Sequence, residues 1–246
     1  MILELDCGNS FIKWRVLRCG ESAPVLEGVG SEIEGILQQL ASREARAISR
    51  CRLVSVRSDA ETDSLKTALS RSLQIDVACA KPARLLAGVV NGYDEPERLG
   101  LDRWLAVVAA FNLSDGPCLV IDLGTAVTVD LVARGGKHLG GYIAPGLALL
   151  RGQLLAHTRR IRYDQTAAGR ETEVLSPGRS TSEAVERGCL LMLRSYISSQ
   201  LASAASFLGD EFTIYLTGGD APLASDLSGV VHVPDLVFRG LAIACP

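Results

Sequence analysis

Several motifs that identify common classes of nucleotide-binding protein and hydrolase are missing from this 246-residue chain. It has no GxxxxGK[ST] loop, no GxGxxG after a predicted strand and no GxSxG elbow. These absences argue against a P-loop protein, a Rossmann dinucleotide site and an α/β-hydrolase. No apolar run approaches the ~18 residues that a membrane-spanning helix needs. The net charge of −3 gives no reason to expect nucleic acid or an anionic membrane as a partner.

Cysteine and histidine are present but are not grouped. The seven cysteines are widely spaced without a CxxC pair, and the three histidines are far apart in sequence. We therefore expect buried thiols in a reducing cytoplasm rather than disulfides or a structural zinc site. The N-terminus enters a strand with no basic segment before it, so we expect no signal peptide.

What the chain does contain is a strand–loop–strand pattern that occurs twice. An apolar strand ends on Asp6 and is followed by Gly8, and the same order recurs 116 positions later at Asp122 and Gly124. The strands of the two hairpins are predicted over 1–6 and 11–18 and over 118–122 and 127–132. Two such loops, each opening one half of the chain, predict a duplicated fold with a nucleotide between the halves.

The loop after Asp6 has the composition of a phosphate site. Gly8 allows backbone N–H groups and the short side chains of Asn9 and Ser10 to approach phosphate oxygens. Asp6 could hold Mg²⁺ through water, and Lys13 could add a positive charge. One such loop is equally typical of an ordinary turn. The second copy favours the phosphate site.

Two further segments carry candidate chemistry. In Gly100-Leu101-Asp102-Arg103, Asp102 could accept a hydroxyl proton while Arg103 orients an anion. Alternatively, Asp102 is a first-turn aspartate favoured by the helix dipole. The segment 217–220, Thr-Gly-Gly-Asp, follows an apolar strand and could hold a nucleoside or a phosphate, or form only a strand-to-helix turn.

The order of the predicted elements is that of a mixed α/β protein. Three antiparallel strands precede alternating helices and strands, and Ser31 with Glu34 is expected to form a capping box on the first helix. A turn-rich loop over 81–99 interrupts this order, and loops of such length are often functional. The break at 115–117, Asp-Gly-Pro, separates a first half over 1–114 from a second over 115–246.

Taken together, these segments resemble the acetate kinase, sugar kinase, Hsp70 and actin superfamily, which is built from two ribonuclease H-like domains. Within it the chain is similar to the type III pantothenate kinase family. The motifs that carry this similarity are DCGNS at 6–10, NGYDEPERLGLDRW at 91–104, IDLGTAVTVD at 121–130, GGYIAPG at 140–146, STSEAVERG at 180–188, TGGDA at 217–221 and PDLVFRGL at 234–241.

The resemblance implies a fold and a reaction. The fold is α/β, a duplicated actin-like ATPase fold in which mixed sheets are flanked by helices. Its first domain would carry one phosphate loop, and its second would carry the other loop, the adenosine turn and a dimer interface. The reaction would be ATP-dependent phosphorylation of pantothenate to 4'-phosphopantothenate, the first step of coenzyme A biosynthesis. It would use Mg²⁺ and be activated by K⁺ or NH₄⁺, in a cytoplasmic homodimer whose pocket is completed by the second subunit.

The resemblance also assigns residues. Asp102 is the expected catalytic base and Asp122 the expected ligand of K⁺ or NH₄⁺. Asp6 keeps the role inferred above from its place at a strand end, the ligand of Mg²⁺ through water. With the adenosine turn included, the expected ATP-binding residues are Asp6, Cys7, Gly8, Asn9, Ser10, Phe11, Ile12, Lys13, Thr125, Gly218 and Gly219. The expected pantothenate-binding residues are Tyr93, Gly100, Leu101, Asp102, Arg103, Thr181 and, as a contact across subunits, His157.

Two positions depart from the family pattern, and two other functions stay open. Ser10 stands where threonine is usual but keeps the hydroxyl. Leu101 stands where a small residue is more usual and would crowd or tighten the pocket mouth. The chain could instead phosphorylate another hydroxylated substrate such as a sugar, or be a non-catalytic nucleotide-binding regulator. The presence of Asp6, Asp102 and Asp122 favours an enzyme.

Overall fold

The computed structural model describes residues 1–40, 47–114, 116–162, 176–224 and 226–246. The strands are β1 Ile2–Cys7, β2 Ile12–Leu17, β3 Pro24–Gly30, β4 Arg50–Ser55, β5 Val77–Cys79, β6 Leu85–Leu86, β7 Val89–Val90, β8 Cys118–Leu123, β9 Ala126–Val132, β10 His138–Pro145, β11 Thr213–Thr217 and β12 Val230–His232. The helices are α1 Ile33–Gln39, α2 Asp59–Leu73, α3 Leu101–Leu113, α4 Leu147–His157, α5 Thr181–Leu208 and α6 Leu236–Ala244. None of the helices in these ranges is both long enough and apolar enough to cross a membrane.

Two five-stranded sheets have the same strand order. The first is β3-β2-β1-β4-β5 and the second is β10-β9-β8-β11-β12. The hairpins β1–β2 and β8–β9 are antiparallel. The pairs β1–β4 and β4–β5 in the first sheet, and β8–β11 and β11–β12 in the second, are parallel. The two central strands, β1 and β8, are both six residues long, lie 116 positions apart and share one burial pattern. The predicted duplicated α/β fold with mixed sheets is confirmed.

The chain divides into two compact units. One comprises Met1–Asp115, Gly135–His138 and Asp235–Pro246, and the other comprises Gly116–Arg134 and Leu139–Pro234. The division predicted after residue 114 differs from this in two places, because two short segments of the second half pack with the first unit. Asp115 itself lies outside the described residues.

A buried ionic cluster explains why the C-terminal helix packs with the first unit. Glu4 on β1 is fully buried and forms ion pairs with Arg15 and Arg52 on the neighbouring strands. Arg15 also donates to Asp235 at 2.9 Å and lies 4.6 Å from the centre of the Phe238 ring. A buried charge is tolerated when it is paired, and the second positive charge of this cluster finds its partner in Asp235, next to the start of α6.

The packing of α6 on α3 depends on a glycine. A Cβ at Gly240 would overlap the backbone carbonyl oxygen of Leu105 and would lie 2.8 Å from its Cα. Helix α3 is buried around most of its circumference, with Trp104, Leu105 and Val108 fully covered. The close approach of α6 therefore helps to fix the start of α3, where Asp102 lies.

Two local predictions need correction. The capping box of Ser31 and Glu34 is wrong, because α1 begins at Ile33 after Glu32 and that end has no side-chain cap. The helix start follows the burial of Ile33 and Ile36 rather than the Ser31 motif. The segment predicted as a loop over 81–99 contains the β6–β7 hairpin and a short 3-10 turn at Pro96–Arg98.

Candidate active site

The loop that joins β1 to β2 presents backbone and short polar side chains at its tip. Asn9, Ser10 and Phe11 are exposed, whereas Cys7 and Ile12 are fully buried. Burial raises the pKa of the Cys7 thiol to about 12, so this thiol stays protonated. Only the backbone of Cys7 and Ile12 could therefore contact a phosphate group, although both were predicted to bind ATP.

Asp6 is the last polar residue of β1 and lies opposite Lys13 on β2. Burial raises the pKa of the Asp6 carboxyl to about 6, with a smaller contribution from the negative charge of Asp102, and the charge of Lys13 opposes both. Asp6 and Asp102 therefore repel each other when both are ionised. The assignment of Mg²⁺ to Asp6, through water, stays a prediction.

Asp102 lies in the first turn of α3, whose N-cap is Gly100. Its Oδ1 atom accepts a hydrogen bond of 2.7 Å from the backbone N–H of Arg103. A Cβ at position 100 would lie only 2.9 Å from that oxygen, so glycine leaves room for the carboxylate. The helix dipole favours the ionised form of a carboxylate placed here, which is the form that a base requires.

Tyr93 and Arg103 form a second part of the candidate site. Arg103 is buried, and its Nη1 atom donates a hydrogen bond of 2.9 Å to the Tyr93 hydroxyl. The Tyr93 ring stacks on His138 with centroids 6.3 Å apart, and its backbone N–H donates to the Asn91 side chain at 3.0 Å. The predicted substrate residues Tyr93, Gly100 and Arg103 are thus brought together at the start of α3.

A cavity of about 560 Å³ opens beside this helix start. It is lined by Gly100 and Leu101, by the end of β4 and by one face of the first turns of α2. Leu101 is only 9% exposed, so most of its side chain is in the protein interior. It borders this cavity, and its expected effect on the mouth of a pantothenate pocket stays a prediction.

In the second unit, three glycine-containing segments meet at the end of β8. The backbone N–H of Gly146 donates to the carbonyl oxygen of Thr125 at 3.0 Å, and that of Asp220 donates to the carbonyl oxygen of Leu123 at 2.8 Å. Gly218 has a φ of +97° and approaches Asp122 so closely that a Cβ would overlap its carboxylate. The predicted residues Asp122, Thr125 and Gly218 are thus neighbours, with the adjoining Gly219 exposed.

His157 and Thr181 lie apart from that cluster in the sequence of the second unit. His157 is the last residue of α4 and Thr181 the first of α5, and both are exposed. Ser180 caps α5 by accepting a hydrogen bond from the backbone N–H of Glu183. The roles of His157 and Thr181 in binding a substrate stay predictions.

Sequence reasoning missed three residues that organise the first unit. Asn91 is buried and also donates weakly, at 3.4 Å, to the carbonyl oxygens of Ala83 and Pro96. His138 is fully buried against Tyr93, and Arg57 donates to the loop at Gly8. Asn91 had a local signal, since Asn-Gly is typical of turns, but His138 and Arg57 depend on contacts between distant segments.

Comparison with known proteins gives matches over most or all of the chain. The sequence model of the type III pantothenate kinase family matches residues 2–203. This chain is 56% identical to the type III pantothenate kinase of Pseudomonas fluorescens SBW25 and 57% identical to that of Pseudomonas syringae pv. syringae B728a. Each alignment covers 100% of this chain and 99% of the relative. The solved acetate kinase of Porphyromonas gingivalis is similar in fold, with a TM-score of 0.51 at 10% identity over 99% of this chain and 98% of that one.

Proposed function

The chain belongs to the type III pantothenate kinase family, and we propose that it transfers the γ-phosphoryl group of ATP to the primary hydroxyl of pantothenate. The products are 4'-phosphopantothenate and ADP, and the reaction is the first step of coenzyme A biosynthesis. The observation that carries this proposal is the identity of 56% to a relative of that name over the whole chain. The geometry around Asp102 supports it.

In the proposed reaction, Asp102 accepts the proton of the pantothenate hydroxyl. The hydroxyl oxygen then bonds to the γ-phosphorus, and the bond from that phosphorus to the bridging oxygen breaks, so that ADP leaves with the electron pair. Phosphoryl transfer depends mainly on positioning and on neutralising charge. The backbone N–H groups of the loop at Gly8, together with Lys13, would hold and neutralise the phosphates.

Oxygen ligands at two positions fit the cations that such a reaction uses. We propose that Asp6 holds Mg²⁺ through water and that Asp122 binds K⁺ or NH₄⁺. Carboxylate and carbonyl oxygens suit these hard cations, and the end of β8 presents both kinds of atom. When bound, the cations would offset the negative charge of the triphosphate.

The buried Arg103 favours pantothenate over a sugar. We propose that Tyr93, Gly100, Leu101, Arg103 and Thr181 bind pantothenate. A guanidinium that is buried and held by Tyr93 suits an acceptor with a carboxylate, because a charge-assisted hydrogen bond compensates the desolvation of both groups. A neutral sugar would offer no such partner.

We also propose that the protein is a cytoplasmic homodimer without nucleic-acid or membrane partners, and that His157 reaches the pocket of the second subunit. Large apolar side chains are exposed on three elements of the second unit, β10, α4 and α5. They are Leu139, Tyr142, Ile143, Leu149, Leu191 and Met192. Exposed apolar side chains are enriched at protein interfaces, and association of two copies would remove these from water. Sedimentation velocity tests this: a monomer at micromolar concentration contradicts it.

The reaction is tested by steady-state phosphorylation of pantothenate with Mg-ATP, in parallel K⁺ and Na⁺ buffers. We expect turnover in K⁺ and much less in Na⁺. Equal turnover in both buffers would retain the reaction and overturn the cation proposal. ATP binding without turnover would favour the regulator, and turnover of a sugar instead of pantothenate would favour the sugar kinase.

A further inference from the structure

The carbonyl group of Gly8 determines where one N–H of the phosphate loop points. A trans peptide unit is planar, and its C=O and N–H bonds point in opposite directions. The carbonyl of Gly8 and the N–H of Asn9 belong to one such unit. A donor that holds the Gly8 oxygen on one side of the loop therefore directs the Asn9 N–H to the other side.

Arg57 is that donor. Its Nε atom donates a hydrogen bond of 2.9 Å to the Gly8 carbonyl oxygen. Asn9 and Ser10, which follow Gly8, are exposed, while Arg57 is half-buried. The Asn9 N–H therefore points away from Arg57 and is left to a ligand on the other side of the peptide.

The backbone around Arg57 is itself held in place. The N–H of Val56 donates to the carbonyl oxygen of Cys7 at 3.1 Å, which continues the parallel pairing of β4 with β1 beyond the strand end. The N–H of Arg57 donates to the Ser55 hydroxyl at 3.2 Å, and that hydroxyl lies 2.8 Å from the hydroxyl of Thr62 on α2. Arg57 therefore starts from a fixed position next to Gly8.

From this geometry we propose that Arg57 is a positioning residue for the kinase reaction. It holds the Gly8 peptide so that the Asn9 N–H faces the triphosphate, and its positive charge lies at the base of the phosphate loop. The proposal rests on the proposed function, because it assigns ATP to this loop. Arg57 also borders the cavity at Gly100 and Leu101, so it lies in the same part of the unit as the start of α3.

A charged donor matters here because the Gly8 oxygen would otherwise be free to turn. Without Arg57, the peptide could rotate until the carbonyl oxygen faces the phosphates, and two negative groups would then repel each other. A hydrogen bond from a charged donor is roughly twice as strong as a neutral one. A guanidinium with its fixed fork also holds direction better than a lysine ammonium.

The test compares Arg57→Gln, Arg57→Lys and Arg18→Gln with the wild type. Arg18 is an exposed arginine of the same unit that pairs with Glu21, so the same substitution there is the matched control. Each protein is titrated with Mg-ATP in a calorimeter, assayed for pantothenate phosphorylation and melted without nucleotide. Titration with Mg-ATP measures the effect of Arg57 on nucleotide binding even if the acceptor is not pantothenate. The proposal for Arg57 and the proposed kinase reaction can therefore fail separately.

We expect Arg57→Gln to raise the Kd and KM for Mg-ATP by roughly 10- to 100-fold, the effect of losing a hydrogen bond from a charged donor. The KM for pantothenate should change little. The melting temperature should fall by a few degrees, because the same hydrogen bond is present without nucleotide. Arg57→Lys should recover part of the affinity for Mg-ATP. Arg18→Gln should behave as the wild type. An unchanged Kd in a folded Arg57→Gln protein overturns the proposal. If Arg57→Gln does not fold, Arg57→Lys, which lacks the guanidinium fork, is titrated in its place. A Kd for Mg-ATP equal to that of the wild type then overturns the proposal.

Discussion

Arg103 and Tyr93 hold each other at the start of α3. The guanidinium donates to the tyrosine hydroxyl at 2.9 Å, and its central carbon lies 5.8 Å from the centre of the ring. Tyr93 is in turn stacked on the buried His138. A positive charge inside the protein is thereby given a fixed direction one residue after Asp102, the expected base.

Removal of the Tyr93 hydroxyl tests this arrangement. In Tyr93→Phe, Arg103 loses one acceptor and gains conformational freedom while the ring and its stacking stay. We expect the KM for pantothenate to rise about tenfold, since a hydrogen bond to a charged group contributes roughly 1.5–3 kcal/mol. The Kd for Mg-ATP should not change. A wild-type KM for pantothenate would remove Tyr93 from the acceptor pocket.

Asp102→Asn tests the base. The amide keeps the size of the side chain but cannot take the hydroxyl proton, so kcat should fall at least about 100-fold, the lower range for general-base catalysis. Calorimetry should give a nearly unchanged Kd for Mg-ATP. The matched control is Asp76→Asn, the same substitution at an exposed position between α2 and β5. Unchanged turnover in Asp102→Asn would exclude this residue from the mechanism.

Asp122→Asn tests the monovalent cation site. Replacement of the carboxylate by a neutral amide should weaken K⁺ binding, so that half-maximal activation requires at least about tenfold more K⁺, as expected for loss of a charged ligand. The assay is kcat against K⁺ concentration at saturating Mg-ATP. If half-maximal activation occurs at the wild-type concentration, the cation binds elsewhere.

Asp6 makes nucleotide binding dependent on pH. Because the pKa of its carboxyl is about 6, the group is protonated below that pH and cannot hold a hydrated Mg²⁺. We expect the Kd for Mg-ATP to be constant above about pH 7 and to rise as the pH falls through 6, by up to about tenfold per unit for one proton. Asp6→Asn should bind more weakly and lose this dependence. A wild-type Kd that is flat from pH 5 to 8 would contradict the assignment.

The same carboxyl should lower the stability of the free protein at neutral pH. The folded pKa is above the ordinary value of 3.8, so the folded state binds the proton more tightly, and stability falls as the pH rises from about 4 to 6. Asp6→Asn removes this loss and should be more stable at pH 8 by about 1–3 kcal/mol, a gain that disappears near pH 4. Urea unfolding at the two pH values measures it, and a less stable variant at pH 8 would refute the prediction.

The parts of the fold and site that the sequence predicted are those with local signals. The strand ending on Asp6 and its copy ending on Asp122 are short buried runs followed by glycine, a pattern that is readable without tertiary contacts. Asp102 was found for the same reason, since it lies two residues after Gly100 at a helix start. The family resemblance added roles that the local pattern left open.

What the sequence could not give depends on contacts between distant segments. Arg57 and Gly8 meet only because β4 pairs with β1, and His138 meets Tyr93 although 44 residues separate them. The place of α6 depends on the contacts of Arg15 with Asp235 and Phe238 and on Gly240, none of which forms a motif. At α1 the Ser31 motif was present, but the burial of Ile33 determined the helix start.

Gly146 offers a steric test of the second loop. Its backbone N–H donates to Thr125, and a Cβ there would overlap the carbonyl oxygen of Gly124 and lie 2.6 Å from that of Thr125. Both obstacles are backbone atoms that cannot rotate away, so Gly146→Ala must shift the hairpin tip or α4. We expect a loss of about 1–3 kcal/mol in the free energy of unfolding, as for other overpacked sites, and weaker ATP binding because Thr125 moves.

The matched control for that variant is Gly152→Ala. Gly152 is in the middle of α4, and a Cβ there meets no atom within 4 Å. Alanine should therefore stabilise the helix by up to about 1 kcal/mol. Opposite signs for the two substitutions in urea unfolding would show that the effect at Gly146 comes from its contact with the loop rather than from the loss of glycine. A Gly146→Ala protein as stable as Gly152→Ala would mean that Thr125 and Gly124 do not pack against α4 as described.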